Sequence, residues 1–297
     1  MTRQNEAGDH DVRLADGRTV RVARFGPRGR LPIVYLHGFL GSRIEPRVAG
    51  PLDADIVAPD RPGYGGSDPS RPPSLRRFAH DLGEVLDALG IDRFAVLGAS
   101  AGAPYALAVC ATLGPRVARC VLAAGVAGRS AIAAGGGTVM LLRQMRRHLV
   151  AVRKLLPPTA KLALRLGADR PILDLLFAMG REHFAPGIDR AHLSRTLIAS
   201  LREGTRRGMD GPLADIEILT KPWDVDPTTV TTPVLVLHGA DDLVVPPAHA
   251  AWYASTLPQA RVRIVPRTGH ISLVVNLAGE MVDELAPAPI DSPAPAV

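Results

Sequence analysis

The sequence predicts an α/β protein, a mostly parallel sheet flanked by helices, with a separate block of helices inserted into it. Three observations carry this. Over residues 1–127 short apolar runs alternate with stretches of helical period, the pattern that strand–helix–strand units leave in a sequence. After Gly128 the strand-like runs stop, and they do not return until Pro233. They then resume twice, again with helix-period residues between and after them. The composition agrees: 297 residues with 46% hydrophobic and 22% charged can bury a sizeable core, which excludes disorder as the dominant state. The 29 Gly and 27 Pro show no period, so collagen-like and low-complexity classes fail as well.

The elements follow in order. Val12–Leu14 and Val20–Phe25 flank Asp16-Gly17, a hairpin signal because these residues accept positive φ at little cost. Ile33–Leu36 is the third strand, ending in His37-Gly38, and Asp55–Ala58 the fourth, ending in Pro59-Asp60. Leu75, Phe78, Leu82, Val85, Leu86 and Leu89 recur at three and four residues behind Ser74, which predicts a helix with a serine cap that Gly90 stops. Phe94–Leu97 and Cys120–Leu122 are strands on either side of a helix over Pro104–Leu113. Val234–Leu237 and Val262–Val265 complete a set of eight, with helices over Ala248–Thr256 and Ile271–Leu285.

The organisation is therefore a discontinuous core, 1–127 and 229–286, with a helical insertion at 128–228. The insertion is broken at Pro157-Pro158, Pro171, Pro186-Gly187 and Gly211-Pro212. A Pro/Ala-rich tail, 287–297, is expected to be flexible. No internal repeat is present. The formal net charge is +6, and the excess lies in the insertion, a split that argues against a uniformly basic nucleic-acid binder. With few aromatic residues for base stacking, no nucleic-acid partner is expected.

Arg143, Arg146, Arg147, Arg153, Lys154, Lys161 and Arg165 interleave with apolar residues and no acid, a basic amphipathic signature. A helix that covers a sheet edge produces the same stripe, and this reading is preferred to membrane association. Phe94–Pro115 is uncharged, but its glycines and proline fit a buried strand, a turn and a core helix better than a membrane span. No stable membrane insertion is expected. Residues 1–16 are polar and lack a secretory apolar stretch, and Cys110 and Cys120 cannot form a disulfide framework, so a reducing cytoplasm is the expected location.

The chemistry centres on Gly98-Ala99-Ser100-Ala101-Gly102, a G-x-S-x-G sequence between a strand and a helix. The chain must reverse there within a few residues, and a Cβ at either glycine would press on the neighbouring strand or helix. Ser100 would stand clear of the sheet at a helix N-terminus, where developing negative charge is favoured. The pentapeptide alone fits a purely structural turn equally well. A serine hydroxyl is a poor nucleophile and needs an imidazole held in one tautomer by a carboxylate. Asp241-Asp242 follows one later strand and His270 follows the next, and strand C-termini of a parallel sheet converge on one edge. His37 and His238 are read as structural, and His249, on a predicted helix, as partly solvated. His80, His148, His183 and His192 have no ligand spacing, so no metal is expected, and nothing implies a cofactor.

Together, His37-Gly38-Phe39, Asp60-Arg61-Pro62-Gly63-Tyr64-Gly65-Gly66-Ser67, the turn at Ser100 and the Asp242–His270 pair resemble the α/β-hydrolase superfamily, in its serine-dependent form with a helical lid. The resemblance covers nearly the whole chain except the lid sequence and tail. It implies the α/β-hydrolase fold with a mostly parallel eight-stranded sheet, and a Ser100–His270–Asp242 triad. Asp242 is preferred because the acid lies three residues after the glycine ending its strand in such proteins, and Asp241 is the alternative.

The resemblance also implies an oxyanion hole from the backbone N–H groups of Phe39 and Ala101. The serine disfavours the dehalogenase and epoxide-hydrolase branches, which use aspartate there. No tyrosine lies in 128–228 to hold an epoxide. The expected activity is hydrolysis of a carboxylic ester, lactone or thioester, on a largely apolar small-molecule acyl substrate. The alternatives are a non-hydrolytic acyltransferase, cyclase or lyase using the same pocket, and a catalytically silent ligand-binding protein. Met140, Met145, Met179, Phe177, Phe184 and Trp223 are candidates for an apolar pocket or for the core of the lid.

Overall fold

The computed structural model describes residues 8–128, 166–287 and isolated positions between 144 and 163. Most of the basic amphipathic segment, Met140 and Met145, and the tail beyond 287 lie outside the described residues. Eight strands form one sheet: β1 (Gly8–Arg13), β2 (Thr19–Phe25), β3 (Ile33–Leu36), β4 (Ile56–Pro59), β5 (Phe94–Ala99), β6 (Val117–Ala123), β7 (Val234–Gly239) and β8 (Ala260–Val265). Their order across the sheet is β1-β2-β4-β3-β5-β6-β7-β8. The β1–β2 hairpin turns at Gly17, whose φ is +87°, and β2 runs antiparallel to β4; from β4 to β8 every pairing is parallel.

Alternate strand residues pack on opposite faces, as the pleat requires. Val34, Leu36, Phe94, Val96, Cys120, Leu122, Val234 and Val236 meet α1 (Leu75–Ala88), α2 (Ala103–Leu113) and α6 (Ala248–Thr256). Ile33, Tyr35, Ala95, Leu97, Val121, Ala123, Leu235 and Leu237 meet the two C-terminal helices, α7 (His270–Asn276) and α8 (Ala278–Leu285). The single helix expected over 271–285 is thus two, parted at Leu277. Ser74 caps α1 by accepting from the Arg77 N–H at 2.9 Å, and Gly90 follows the helix with φ +67°.

Between β6 and β7 the described residues include α3 (Asp169–Gly180), α4 (Arg190–Gly204) and α5 (Asp210–Thr220). Pro171 and Pro212, expected to break helices, instead lie in the first turns of α3 and α5, where a missing N–H costs nothing. Phe94–Pro115 is β5, a tight turn and α2. Among the described residues no helix is long and apolar enough to cross a membrane. Cys110 and Cys120 are buried free thiols.

Candidate active site

Ser100 sits at the end of β5 with φ +52°, a left-handed conformation that a non-glycine residue adopts only when its surroundings impose it. They do so on both sides. A Cβ at Gly98 would come within 2.8 Å of Ala103 Cα and Ala106 Cβ in α2, and one at Gly102 within 2.1 Å of the Leu36 carbonyl oxygen in β3. Both glycines are therefore needed for the strand–turn–helix to close, and the Val126 N–H donating to the Ser100 carbonyl at 3.0 Å ties the turn to the end of β6.

Two further loops arrive at the same sheet edge. After β7 the chain turns at Gly239, where a Cβ would press within 2.3 Å of the Thr268 carbonyl oxygen, so the β7 and β8 loops lie backbone to backbone. The Asp241 N–H also donates to the Thr268 carbonyl at 3.0 Å. This brings His270, the first residue of α7, over the buried Asp242. His270 Nδ1 lies 2.7 Å from Asp242 Oδ2, and His270 Nε2 lies 3.0 Å from Ser100 Oγ. Asp242 Oδ1 accepts the N–H groups of Val244 and Val245, each at 2.9 Å. These bonds orient the carboxylate and make Nδ1 the protonated nitrogen of a neutral His270, leaving Nε2 to accept from Ser100.

Burial alone would push the His270 imidazole down, but the Asp242 carboxylate and its hydrogen bond, with Glu182 and Glu45 beyond it, hold it above its ordinary value of 6.5. Asp241 faces away from this chain: its Oδ2 lies 3.6 Å from His183 Nε2 at a partly exposed position.

Phe39 and Ala101 both line the cavity that opens at Ser100, and a Cβ on Gly38 would stand 3.4 Å from Ser100 Cβ. The loop that holds Phe39 is fixed from beneath. The Arg61 N–H donates to His37 Nε2 at 3.2 Å and His37 Nδ1 pairs with the Gly38 carbonyl at 2.9 Å, so His37 is a neutral, fully buried brace. Burial and the adjacent Arg61 charge hold it well below the usual histidine range. His238 is likewise structural, its Nε2 donating to the Val245 carbonyl at 2.7 Å. His249 differs from the expectation of partial solvation. It is fully buried, accepts the Ala127 N–H at 3.0 Å, and is pushed by desolvation to a pKa of about 4, because α6 turns this face onto the sheet.

The Asp60–Ser67 segment is explained by two side chains. Asp60 gathers its own turn, accepting from Gly66 N–H at 2.8 Å, and leaves no room for a Cβ at Gly65, whose φ is +49°. Arg61 is fully buried and pairs in bidentate fashion with Asp215 of α5, at 2.6 and 2.9 Å, while also donating to the Gly38 carbonyl at 3.0 Å. The hydroxyls of Tyr64 and Tyr105 donate to the same carboxylate at 2.6 and 2.7 Å. Asp215 is absent from the sequence reading, yet it and Glu217 interrupt the otherwise apolar middle of α5, and that incongruity is its signal.

Glu182 was missed too. Its carboxylate accepts the N–H groups of Ile271 and Ser272 at 2.7 and 2.6 Å, so it caps the helix that begins at His270. Nothing in the sequence around it distinguishes it from a surface acid.

The cavity has a volume of about 300 Å³ and a mainly apolar wall that includes Leu40, Leu173, Leu176, Met179, Val244 and Val245. Of the described candidates for an apolar pocket, Met179 lines it. Phe177 and Phe184 pack together in a neighbouring cluster, and Trp223 stacks edge-on against Trp252. Among the described residues no cluster of His, Cys, Asp or Glu could hold a metal ion.

Comparison with known proteins adds the following. Residues 32–277 match the family model described as the alpha/beta hydrolase fold. The dihydrolipoyllysine-residue acetyltransferase component of the acetoin cleaving system of Cupriavidus necator is 28% identical over 285 residues, covering 91% of this chain and 68% of that protein. The 2-hydroxy-6-oxo-6-phenylhexa-2,4-dienoate hydrolase of Burkholderia cepacia is 24% identical over 219 residues, 72% of this chain and 70% of that one. Among solved structures, the esterase RhEst1 from Rhodococcus sp. ECU1013 superposes with a TM-score of 0.63 at 24% identity, over 94% of this chain and 96% of that one.

Proposed function

The chain belongs to the alpha/beta hydrolase fold family, and from that premise we propose that it is a serine hydrolase cleaving a carboxylic ester or a related acyl bond. The observation that carries the proposal is the unbroken hydrogen-bond chain from Ser100 Oγ through His270 to Asp242. Ser100 attacks the acyl carbon while His270 Nε2 takes its proton, and Asp242 orients the ring and stabilises the imidazolium. The backbone N–H groups of Phe39 and Ala101 receive the developing oxyanion; fixed beforehand, they need no reorganisation in the transition state. His270 then returns the proton to the leaving group, and water repeats the sequence on the acyl-enzyme. The apolar wall favours a small, largely apolar acyl substrate. The helices between β6 and β7 act as the lid, since α3 and α4 supply Leu173, Leu176, Met179 and Leu197 to that wall.

A short-chain chromogenic ester and a fluorophosphonate probe test the reading together. Turnover, with label on Ser100 and lost in Ser100→Ala, is the expected result. A folded protein that neither turns over nor labels would overturn it in favour of a ligand-binding protein. One comparison favours a second reading: a relative covering 91% of the chain is named as an acetyltransferase component. The same acyl-enzyme would then pass its acyl group to an acceptor other than water, and labelling without hydrolysis would point there.

A further inference from the structure

One acid in the cavity acts on His270 only through its charge and is assigned no contact with the reacting atoms above. The wall beside Ser100 and His270 is mainly apolar, yet it includes Glu45. The Tyr35 hydroxyl donates to Glu45 Oε1 at 2.8 Å. The Gly38 N–H is shared between Oε1 at 3.1 Å and Oε2 at 3.3 Å, so Oε2 receives only the longer arm of a divided bond. Asp169, the other carboxylate on the wall, is neutralised by Arg202, whose Nε donates to it at 2.5 Å. Glu45 accepts no hydrogen bond from a Lys or Arg: Arg61 and His270 act on it only through space, and among the described residues that line the cavity there is no Lys or Arg.

A carboxylate in apolar surroundings is costly unless it is paired, and without a pair it tends to keep its proton. Burial accordingly pushes Glu45 up, against the opposing pull of the Gly38 and Tyr35 donors and of the Arg61 and His270 charges. In a mainly apolar cavity the few converging polar groups fix the ligand, and beyond Ser100 and His270 the carboxylate with no Lys or Arg hydrogen-bonded to it is Glu45.

We infer that Glu45 determines specificity in this pocket by pairing with a cationic nitrogen, an ammonium group, on the portion of the acyl substrate that enters the apolar cavity. The inference rests on the acyl-hydrolase reading for the word substrate, but not for the binding. The same carboxyl selects against anionic acyl chains, which would meet a like charge in a poorly solvated site.

The test uses nitrophenyl esters of straight-chain acids in matched pairs, one member ending in a primary ammonium and the other in a methyl group, over a series of lengths. At the length that reaches Glu45, the ammonium ester should have the higher kcat/KM, tenfold or more, and Glu45→Gln should abolish or reverse that preference. A methyl-terminated chain preferred at every length, or an ammonium preference that survives Glu45→Gln, would overturn the inference. Should Glu45→Gln fail to fold, competitive inhibition of the wild-type protein by alkylammonium ions against alcohols of equal length decides instead, and equal inhibition sinks the inference. Calorimetric binding of the same alkylammonium ions to Ser100→Ala separates the two claims. Binding without any ester turnover in the wild type would sink the hydrolase reading alone, whereas turnover without ammonium discrimination would sink this inference alone.

Discussion

The loops at the sheet edge and the helices between β6 and β7 both reach the cavity at Ser100, but they bring different things to it. The β5, β7 and β8 ends deliver Ser100, Asp242 and His270 with their backbone supports, all within the core. The helical segment delivers apolar wall residues and a few polar side chains that point back at core loops. Asp215 reaches Arg61, Glu182 caps the helix of His270, and Ser200 Oγ accepts the Ser42 N–H at 3.0 Å. At Gly204 the two backbones are so close that a Cβ would meet the Gly41 carbonyl oxygen at 2.1 Å. The core therefore carries the groups proposed to react, and the segment shapes the cavity and braces the loops on which those groups stand. The contrast predicts different damage from substitutions on the two sides.

The largest effect falls on the core side. Ser100→Ala or His270→Ala should lower kcat by about 10⁴–10⁶-fold, leaving the background that oxyanion stabilisation and binding provide. Thermal stability should be nearly unchanged in Ser100→Ala and modestly lowered in His270→Ala, which leaves the buried Asp242 carboxylate without its imidazole partner. Activity retained in His270→Ala would refute its role as the base. Asp242→Asn should lower kcat by about 10⁴-fold, by favouring the wrong tautomer. Asp241→Asn, whose carboxylate is partly exposed and faces His183, should change kcat less than twofold. The opposite ranking of the two aspartates would transfer the orienting role to Asp241.

The same contrast explains what could be read from the sequence. Ser100, His270 and the Asp241-Asp242 pair were legible because each follows a strand, and strand, glycine and chemistry-bearing residue are all local signals; the preference for Asp242 came from the family resemblance. The fold was legible for the same reason, since Ile33–Leu36 and Val234–Leu237 are apolar runs bounded by glycine-containing turns. Elements misplaced in the sequence reading were boundaries that depend on packing, such as the break at Leu277 that parts α7 from α8. Glu182 and Asp215 were not identified because their roles are set by residues distant in sequence, Ile271 and Ser272 for Glu182 and Arg61 for Asp215, and Glu45 because the loop that folds it back onto Tyr35 and Gly38 has no periodic pattern to reveal the contact. His249 was misread because the face of α6 that packs on the sheet is decided by tertiary contact, and that helix is too evenly apolar to show which face is buried.

On the other side of the comparison, Asp215→Ala should destabilise the fold by about 3–5 kcal/mol, because it strands the fully buried guanidinium of Arg61. Chemical denaturation reads this directly. The paired change Arg61→Met with Asp215→Leu removes the stranded charge but leaves the buried hydroxyls of Tyr64 and Tyr105 and the Gly38 carbonyl without these partners, so it should recover only part of the loss. If the single substitution cost less than about 1 kcal/mol, the ion pair would contribute little to joining α5 and the core.

The smallest expected effect is also the most informative about how the two regions communicate. Catalysis as proposed needs neutral His270, so the rate should fall on acidification as the ring takes up a proton. Because the folded-state value is raised above 6.5, that fall belongs on the alkaline side of 6.5. Three carboxyl groups raise it: Asp242 from the β7 loop, Glu182 from the segment after α3, and Glu45 from the loop after β3, while burial opposes them. Glu182→Gln keeps an oxygen to accept one of the two N–H groups but removes the charge, so imidazolium is less favoured and the acid limb of kcat/KM should move to lower pH. A purely structural role for Glu182 would instead lower the rate at every pH without moving the limb. An unmoved limb in a variant of wild-type stability would show that the charge of Glu182 does not act on His270.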